Sequence, residues 1–389
     1  MLKDRTAIVG VGQTAFAKSL DLSETELAVE AILAALDDAG IDPGEVDGLV
    51  EYSLETTDEV DLARNLGAGD ITFFGEVGYG GGARCGVVGH AALGVASGQC
   101  DVAVAWRSRK RGAAASRPWV QAGQGRAAAP GALPRAADWH RPWGLLRPVD
   151  QIAMLARRYM HEYGATRDHF ANVALAVRGH ANHNPRALMH DRPLTREQYF
   201  AARWISEPLC LFDNCLESDG ALAVVVVSAD RARDCRQPPA YIHAFGQGFH
   251  RQHQVMANYH AVDPLLGPSW ACARALWRHA DFGAGDVDVA QLYDAFTPLI
   301  PLSLEGYGFC GRGEGAAFTE GGALEWPAGA LPVNTSGGGL SEAYVHGFNL
   351  VVEGVRQMRG TSTCQVDGAQ TCLVTSGEGV PTSALLLRR

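Results

Sequence analysis

Short apolar segments alternate with amphipathic segments along the whole chain. The run Thr6-Ala7-Ile8-Val9-Gly10 predicts a strand, and Ala221–Val227 predicts a buried strand. Between such runs, apolar residues return at helical spacing, as at Leu27 and Ala31 after the capping box Ser23-Glu24-Thr25-Glu26. Helices that alternate with short apolar strands predict β-α-β units around mixed or parallel sheets, so the fold class is α/β.

The pattern occurs twice. The segment Ala7–Gln13 is echoed by Tyr241–Gln247, and Gly44–Asp47 is echoed by Gly285–Asp288. A second helix and strand close each half: His90–Gly98 into Val102–Ala105, and Leu350–Gly360 into Cys372–Thr375. Such repetition predicts two similar halves packed on one another. We assign residues 1–106 with 150–230 to the first half and 231–389 to the second.

A long excursion interrupts the first half at 107–149. Its main part, Arg111–Pro148, is rich in Gly, Ala, Pro, Arg and Trp and has no clear period. Long excursions in compact domains usually serve binding. The short basic stretch Arg107–Arg111 is interpreted as a solvated loop. Two helices are predicted after the excursion, at Ile152–Tyr163 and His169–His183.

Composition and charge exclude several classes of protein. The 389 residues are 47% hydrophobic and carry a net charge of −10, which argues against nucleic acid as a partner. No signal-peptide or membrane-spanning segment is evident, so we expect a cytoplasmic protein with no membrane partner. The nine cysteines are scattered without a C-x-x-C pair, which favours reduced thiols over disulfides or a zinc site. No metal is expected.

Two motifs carry the candidate chemistry, Leu292–Phe296 and Gly337–Gly347. The first resembles the H-D-C-F loop of the sterol-carrier-protein thiolases, with Tyr293 where the His should be. The second resembles the thiolase G-G-x-x-x-x-G-H-P loop, with Tyr344-Val345-His346 in place of G-H-P. The resemblance covers nearly the whole chain. It implies the thiolase fold, which has five layers in the order αβαβα.

The chain is most similar to the steroid side-chain aldolase branch of the lipid-transfer-protein thiolases. That branch carries L-Y-D-x-F-T-P and G-E-A-Y-x-H-G, and this chain has both, with Ser341 for the first Gly. The resemblance implies retro-aldol cleavage of a 17-hydroxy steroid acyl-CoA into a 17-ketosteroid and propionyl-CoA. No cofactor is implied, because coenzyme A is part of the substrate.

A retro-aldol cleavage needs no acyl-enzyme. It needs a base for the β-hydroxyl proton, donors for the thioester enolate, and an acid for the leaving carbon. A tyrosine whose pKa is tuned by its surroundings can act as acid or base. We predict that Tyr293 and Tyr344 are the catalytic residues, with Tyr293 as the base and Tyr344 as the donor near the thioester. The alternative is that both are packing residues with satisfied hydroxyls.

Supporting residues are predicted in the same loops. Asp294 is expected to set loop geometry, and His346 to bond the thioester oxygen, to orient Tyr344 or to cap the helix after Gly347. The CoA and substrate contacts are assigned to two glycine runs, at which a backbone can approach a ligand closely: Gly81 and Gly82, and Gly337, Gly338 and Gly339.

Neither thiolase cysteine is expected to be present. In thiolases the nucleophilic cysteine lies at the start of a helix, and the length of the helix that runs toward Gly98 places this position in Gly80–Gly82. Cys85 is then interpreted as a buried helix thiol. The second cysteine position falls on Leu373, and strand alternation points Cys372 to the opposite face. Two rival functions remain: a thiolase or acyltransferase that uses Cys85 or Cys310, and a non-catalytic acyl-CoA or lipid-binding protein.

Partners are implied by the resemblance alone. Thiolase folds pair through their N-terminal halves, which implies a homodimer. Aldolases of this branch resemble subunits of a larger complex, which need a small partner protein with an OB fold and a zinc ribbon. The resemblance therefore implies a heterotetramer.

Overall fold

The computed structural model describes residues 2–110, 141–256, 258 and 260–389. The strands are β1 (Thr6–Gln13), β2 (Gly48–Tyr52), β3 (Phe73–Val77), β4 (Val102–Arg109), β5 (Trp204–Ser206), β6 (Leu209–Cys210), β7 (Gly220–Ser228), β8 (Ala240–Gly248), β9 (Val289–Gln291), β10 (Thr371–Thr375) and β11 (Thr382–Arg388). The α-helices are α1 (Glu24–Ala39), α2 (Glu59–Leu66), α3 (Arg84–Ala96), α4 (Pro148–Tyr163), α5 (Arg167–His183), α6 (Arg196–Ala201), α7 (Ala229–Ala232), α8 (Ser269–Trp277), α9 (Leu299–Tyr307), α10 (Gly315–Phe318) and α11 (Phe348–Arg359). Short 3-10 turns lie at Pro43–Glu45, Gly80–Gly82, Arg141–Trp143, Leu211–Asp213, Ala284–Asp286 and Glu320–Gly322, and a π-helical turn lies at Gly338–Glu342.

Within the described residues, nine strands form one mixed sheet in the order β3-β2-β4-β7-β1-β8-β11-β10-β9, and β5 pairs with β6 separately. The first five strands of this order belong to the first half and the last four to the second. The halves join where Ala7 pairs with Tyr241 and Ile8 with Ala240. The order is mirrored about this junction, because β1 and β8, the first strand of each half, lie side by side. The predicted repeat is therefore confirmed as a structural repeat.

Helices cover both faces of the strands. The first half packs one face on α1, through Leu27 and Ala31. The opposite faces of both halves pack on α3 and α11, which share one core that includes Val88 and Val351. The outer face of the second half packs on α8, through Leu276. The strands of each half form a layer of their own. The layers therefore follow the order α1, first-half strands, α3 with α11, second-half strands, α8, which confirms the predicted αβαβα fold.

Alternation along each strand explains this arrangement. In β7, Val224 and Val226 face the central core, whereas Val225 and Val227 face the α1 core. A strand that is buried on both faces must be apolar at every position, as this one is. The same alternation separates Cys372, in the central core, from Leu373, in the α8 core. The prediction that these two side chains point to opposite faces is confirmed.

The local signals for the first helix are also confirmed. The hydroxyl of Ser23 accepts from the backbone N–H of Glu26, whose carboxylate accepts from the N–H of Ser23, so α1 begins with a complete capping box. The helix ends at Gly40, whose φ of 74° lies in the left-handed region that favours glycine. The two helices predicted after the excursion are present as α4 and α5, each beginning a few residues earlier than predicted.

The basic stretch that begins at Arg107 differs from its prediction. Strand β4 continues through Arg109, and the side chain of Arg107 is fully buried rather than solvated. The reason is a buried acidic partner, Glu55, which lies 52 positions earlier in the chain and forms an ion pair with Arg107. Most of the predicted excursion, 111–140, lies outside the described residues. Among the described residues, no helix is long and apolar enough to cross a membrane.

A fourth hydrophobic core lies beside the layers and covers one end of them. It joins α4 and α5, through residues such as Ile152 and Phe170, to the loops that follow β9 and the π-helical turn. Tyr293 and Tyr344 both belong to this core. Helices α4 and α5, which lie between β4 and β7 in the first half, therefore cover the loops in which the predicted catalytic residues lie.

Candidate active site

The two predicted catalytic tyrosines lie in direct contact. Tyr293 follows β9 and Tyr344 follows the π-helical turn, 51 positions later. Their hydroxyl oxygens are 2.5 Å apart, and either hydroxyl can donate. Both side chains are largely buried, at 6% and 8% exposure. The structure thus brings together two residues that the sequence identified from separate motifs.

Each tyrosine is held by its backbone as well as by its ring. The N–H of Tyr293 donates to the hydroxyl of Thr375 at the end of β10, at 3.3 Å. The N–H of Tyr344 donates to the hydroxyl of Ser218, at 3.0 Å. Because these anchors come from different parts of the fold, the distance between the two hydroxyls is fixed by the scaffold rather than by the loops alone.

The surroundings oppose ionisation of Tyr293. Burial raises the pKa of Tyr293 well above its usual value, and the neighbouring Tyr344 raises it further. The guanidinium of Arg84, 5.2 Å from the centre of the Tyr293 ring, acts in the opposite direction. Arg84 is itself buried and donates to the carbonyls of Gly347 and Gln291. The site therefore holds a neutral tyrosine under a fixed positive charge.

Asp294 ties the two motif loops together. Its carboxylate accepts from the backbone N–H groups of Gly339 at 2.8 Å and Leu340 at 3.3 Å. Burial raises the pKa of Asp294 to about 6, and the two backbone hydrogen bonds act against that rise. A Cβ added to Gly338 would lie 2.1 Å from the carboxylate, so this loop needs glycine there. Asp294 contacts the neighbouring loop and has a positioning role in the structure.

Gly338 packs on Asp294, and the other four predicted glycines divide into two groups. A Cβ on Gly81 would lie 2.0 Å from the Tyr293 hydroxyl oxygen, and one on Gly339 would lie 3.1 Å from Cδ2 of Tyr344. These two glycines therefore contact the tyrosine pair. Gly82 instead packs on the carbonyl of Pro381, and Gly337 packs on Ala181. Contact of any of these glycines with CoA stays a prediction.

His346 lies beside the pair and contacts a residue that the sequence did not connect with the site. Its ring stands edge to face with the Tyr344 ring, with centroids 5.7 Å apart. Its Nδ1 accepts from Nε of Arg107 at 3.1 Å. The helix after Gly347 has Gly347 itself as its N-cap residue, and the helix-capping interpretation of His346 stays a prediction.

The cysteines offer no exposed nucleophile of the kind a thiolase uses. Cys85 lies in the first turn of α3, fully buried, and burial raises the pKa of its thiol. Cys310 is half-buried, and burial raises its pKa to about 12. A thiolate is the reactive form, so both groups are poor nucleophiles at neutral pH. No group of three His, Cys, Asp or Glu residues in the described chain has the arrangement of a metal site.

Sequence reasoning missed Arg84, Arg107 and Cys215 as neighbours of the site. Cys215 is half-buried, donates its backbone N–H to Ala295, and lies close enough to Tyr293 to raise the pKa of that tyrosine. The two arginines lie in apolar or glycine-rich segments of the sequence. An arginine in such a segment is expected to be buried, and a buried arginine requires a partner. This was the available signal. Their partners lie far along the chain and no pattern points to them.

Comparisons with known proteins identify relatives that match the chain over its full length. A family described as "Thiolase C-terminal domain-like" matches residues 251–387. The chain is 45% identical to the 17-hydroxy-3-oxo-4-pregnene-20-carboxyl-CoA lyase of Mycobacterium tuberculosis over 100% of both chains. It is 46% identical to the steroid side-chain-cleaving aldolase of Thermomonospora curvata, over 100% of this chain and 98% of that one. It superposes on a solved Ltp2-ChsH2(DUF35) aldolase with a TM-score of 0.91 and 44% identity, over 100% of this chain and 98% of that one.

Proposed function

The chain belongs to the steroid side-chain-cleaving aldolases of the thiolase superfamily, which are CoA-thioester lyases, and on that premise we propose that Tyr293 and Tyr344 carry the protons of the cleavage. The substrate is a steroid with a hydroxyl on C17 and a three-carbon side chain that ends in the CoA thioester. Its hydroxyl carbon is β to the thioester carbonyl. The products are a 17-ketosteroid and propionyl-CoA.

The proton balance of this reaction suits a pair of tyrosines. Loss of the proton from the β-hydroxyl forms the ketone as the bond between C17 and the α-carbon breaks. The electron pair of that bond moves to the thioester as an enolate, and a proton on the α-carbon completes propionyl-CoA. One proton leaves an oxygen and one arrives at a carbon, so the enzyme ends with the protons with which it began.

A hydrogen-bonded pair of neutral tyrosines can perform this transfer without a standing phenolate. Tyr293 accepts the hydroxyl proton as it passes its own proton to Tyr344, and Tyr344 delivers a proton to the α-carbon. The high pKa of Tyr293 supports such a relay, because a free phenolate there is disfavoured. The observation that carries the proposal is the 2.5 Å separation of the two hydroxyl oxygens. General acid–base catalysis of this kind contributes about 10²–10⁴ in rate.

Assembly follows from the same family. We propose that two copies of the chain pair through their first halves, where β3 is the edge strand and Phe74 is 70% exposed. We also propose a DUF35-type partner with an OB fold and a zinc ribbon, which completes a heterotetramer. The support is that the superposed relative is a DUF35-containing aldolase.

The experiment that tests the proposed function is a product assay on the 17-hydroxy steroid C3-side-chain CoA thioester, with the DUF35-type partner supplied. An aldolase forms the 17-ketosteroid and propionyl-CoA in equal amounts without added CoA. A thiolase instead needs free CoA as a second substrate. A strict requirement for free CoA would overturn the proposal in favour of acyl transfer.

A further inference from the structure

The strongest observation outside the tyrosine pair is a buried chain of polar groups that begins at His346. The Nε–H of Arg107 donates to Nδ1 of His346 at 3.1 Å. The same guanidinium pairs with the carboxylate of Glu55 at 2.9 Å and donates to the carbonyl of Leu54 at 3.1 Å. Glu55 is held in turn by the backbone N–H of Ser108 at 3.0 Å and by its hydroxyl at 2.5 Å.

The hydrogen bond from Arg107 decides which ring nitrogen of His346 carries the proton. A guanidinium stays protonated at any accessible pH, so its Nε is a donor and Nδ1 of His346 must be the acceptor. A neutral imidazole has one N–H, which is then on Nε2. A second proton would have to go to Nδ1, directly against the donor and beside a buried cation. The Arg107 donor therefore opposes a second proton on the ring.

We propose that Arg107 and Glu55 are positioning residues that hold His346 as the neutral tautomer with its proton on Nε2. In this form His346 presents a hydrogen-bond donor beside Tyr344 for an acceptor oxygen that gains charge, as the thioester oxygen does in the enolate. His346 then takes no part in proton transfer, which the two tyrosines perform. The use of this donor in catalysis rests on the proposed function, whereas the position of the proton does not.

The surroundings of the ring are consistent with this assignment. Strand β2 contributes Tyr52, whose ring centre is 6.2 Å from that of His346, and burial raises the pKa of Tyr52 well above its usual value. Strand β4 contributes Arg107, and the loop of His346 itself contributes Tyr344. Arg107 also lies over the Tyr52 ring, 5.1 Å from its centre. Among these contacts, Arg107 is the cation that donates to the ring, and its charge opposes a second proton.

The fixed backbone of His346 supports a positioning role for its partners. Its φ of 49° lies in the left-handed region, which a residue with a side chain rarely adopts. Such a conformation persists when surrounding contacts determine it, and the hydrogen bond from Arg107 is one of these contacts. Arg107 lies on a strand of the central layers, so the ring is held by the scaffold rather than by its own loop.

The test is nitrogen NMR of the protein labelled with 15N in its histidine rings, at pH 7.5 and pH 5.5. The His346 signals are assigned by their loss in His346→Gln. In the natural protein we expect Nδ1 to carry no proton and Nε2 to carry one, at both pH values. A proton on Nδ1 at pH 7.5 would overturn the inference, and this result needs no variant that might fail to fold.

A pair of variants isolates the role of Arg107. Glu55→Gln keeps the Arg107 donor, whereas Arg107→Met with Glu55→Gln removes it and leaves no unpaired buried carboxylate. We expect the ring of the double variant to take a second proton at pH 5.5 and that of Glu55→Gln to stay neutral. Identical spectra for the two variants would contradict the role of Arg107.

The activity of the same variants separates this inference from the proposed function. Relative to Glu55→Gln, the double variant should lose about tenfold or more in kcat at pH 7.5 with little change in KM. Without the Arg107 donor, the single proton of the neutral ring can move to Nδ1, and Nε2 then no longer donates. Complete loss of one oxyanion donor costs about 10²–10³ in rate. A larger change in KM than in kcat would contradict the donor role. If the tyrosines proved dispensable while the NMR result held, the proposed function would fail and the proton position would stand.

Discussion

The hydroxyl oxygens of Tyr293 and Tyr344 lie 2.5 Å apart in a largely buried site, although the two residues belong to separate motifs 51 positions apart. A displacement that carries either hydroxyl away from the other breaks this hydrogen bond.

Gly81 tests the space around the pair. Gly81→Ala would place a Cβ 2.0 Å from the Tyr293 hydroxyl oxygen, so either the hydroxyl must leave its present position beside Tyr344 or the Gly81 loop must move. A displacement of about 1 Å at a reacting group can cost about 10²-fold in rate, and we expect a loss of that size in kcat. The matched control is Gly179→Ala in α5, where a Cβ meets open space. It should keep full turnover and gain up to about 1 kcal/mol of stability from helix propensity. Normal turnover of Gly81→Ala would mean that the hydrogen bond between the tyrosines is not needed.

The thiols test the rival mechanism. Cys85→Ala and Cys310→Ala should keep aldol cleavage, because neither thiol contributes a nucleophile to the proposed reaction. Cys215→Ala should do the same, although this half-buried thiol lies near Tyr293. The measurement is 17-ketosteroid formation by each folded variant. A thousandfold loss in any of them would revive acyl transfer through that cysteine.

Much of this arrangement follows from sequence pattern, and some of it does not. The helix caps and the strand alternation are local signals, and the repeat is a similarity between two segments of the sequence; each predicted its element. The pairing of Tyr293 with Tyr344 was accessible because both replace catalytic residues of one known site. Arg84 and Arg107 were not accessible, because each is buried by a partner from a distant segment. Arg107 in particular was assigned to a solvated loop, and its partner Glu55 carries no motif.

Glu378 gives a prediction about pH and stability. It is buried next to Gly377, which packs on the Tyr293 ring, and burial raises its pKa to about 8 from an ordinary value near 4.5. The folded protein therefore keeps a proton that the unfolded chain loses, so stability falls as the pH rises from about 4.5 to about 8. Glu378→Gln cannot ionise. Its Tm relative to the natural protein should rise between pH 5 and pH 8, measured by calorimetry. A control, Glu207→Gln at an exposed position, should show no such trend.

The partner gives a prediction about assembly. We expect the purified chain alone to be poorly active or poorly soluble, and to gain activity when the DUF35-type partner is added. The reason is the family to which it belongs, together with the long segment that precedes α4, which we predict to serve binding. The measurement is turnover and oligomeric mass with and without the partner. Full activity of the homodimer alone would contradict this prediction.

The central claim is that the two hydroxyls carry the protons of the cleavage, and removing each one tests it most directly. Tyr293→Phe and Tyr344→Phe keep the rings and their packing, so folding and thioester binding should be retained, because remote contacts are unchanged. Each should lower kcat by about 10²–10⁴. The double variant should lose little more than the worse single one, because the pair acts as one relay. The deciding measurement is single-turnover formation of the 17-ketosteroid by all three variants. Near-normal turnover in both single variants would contradict the account and leave the tyrosines as packing residues.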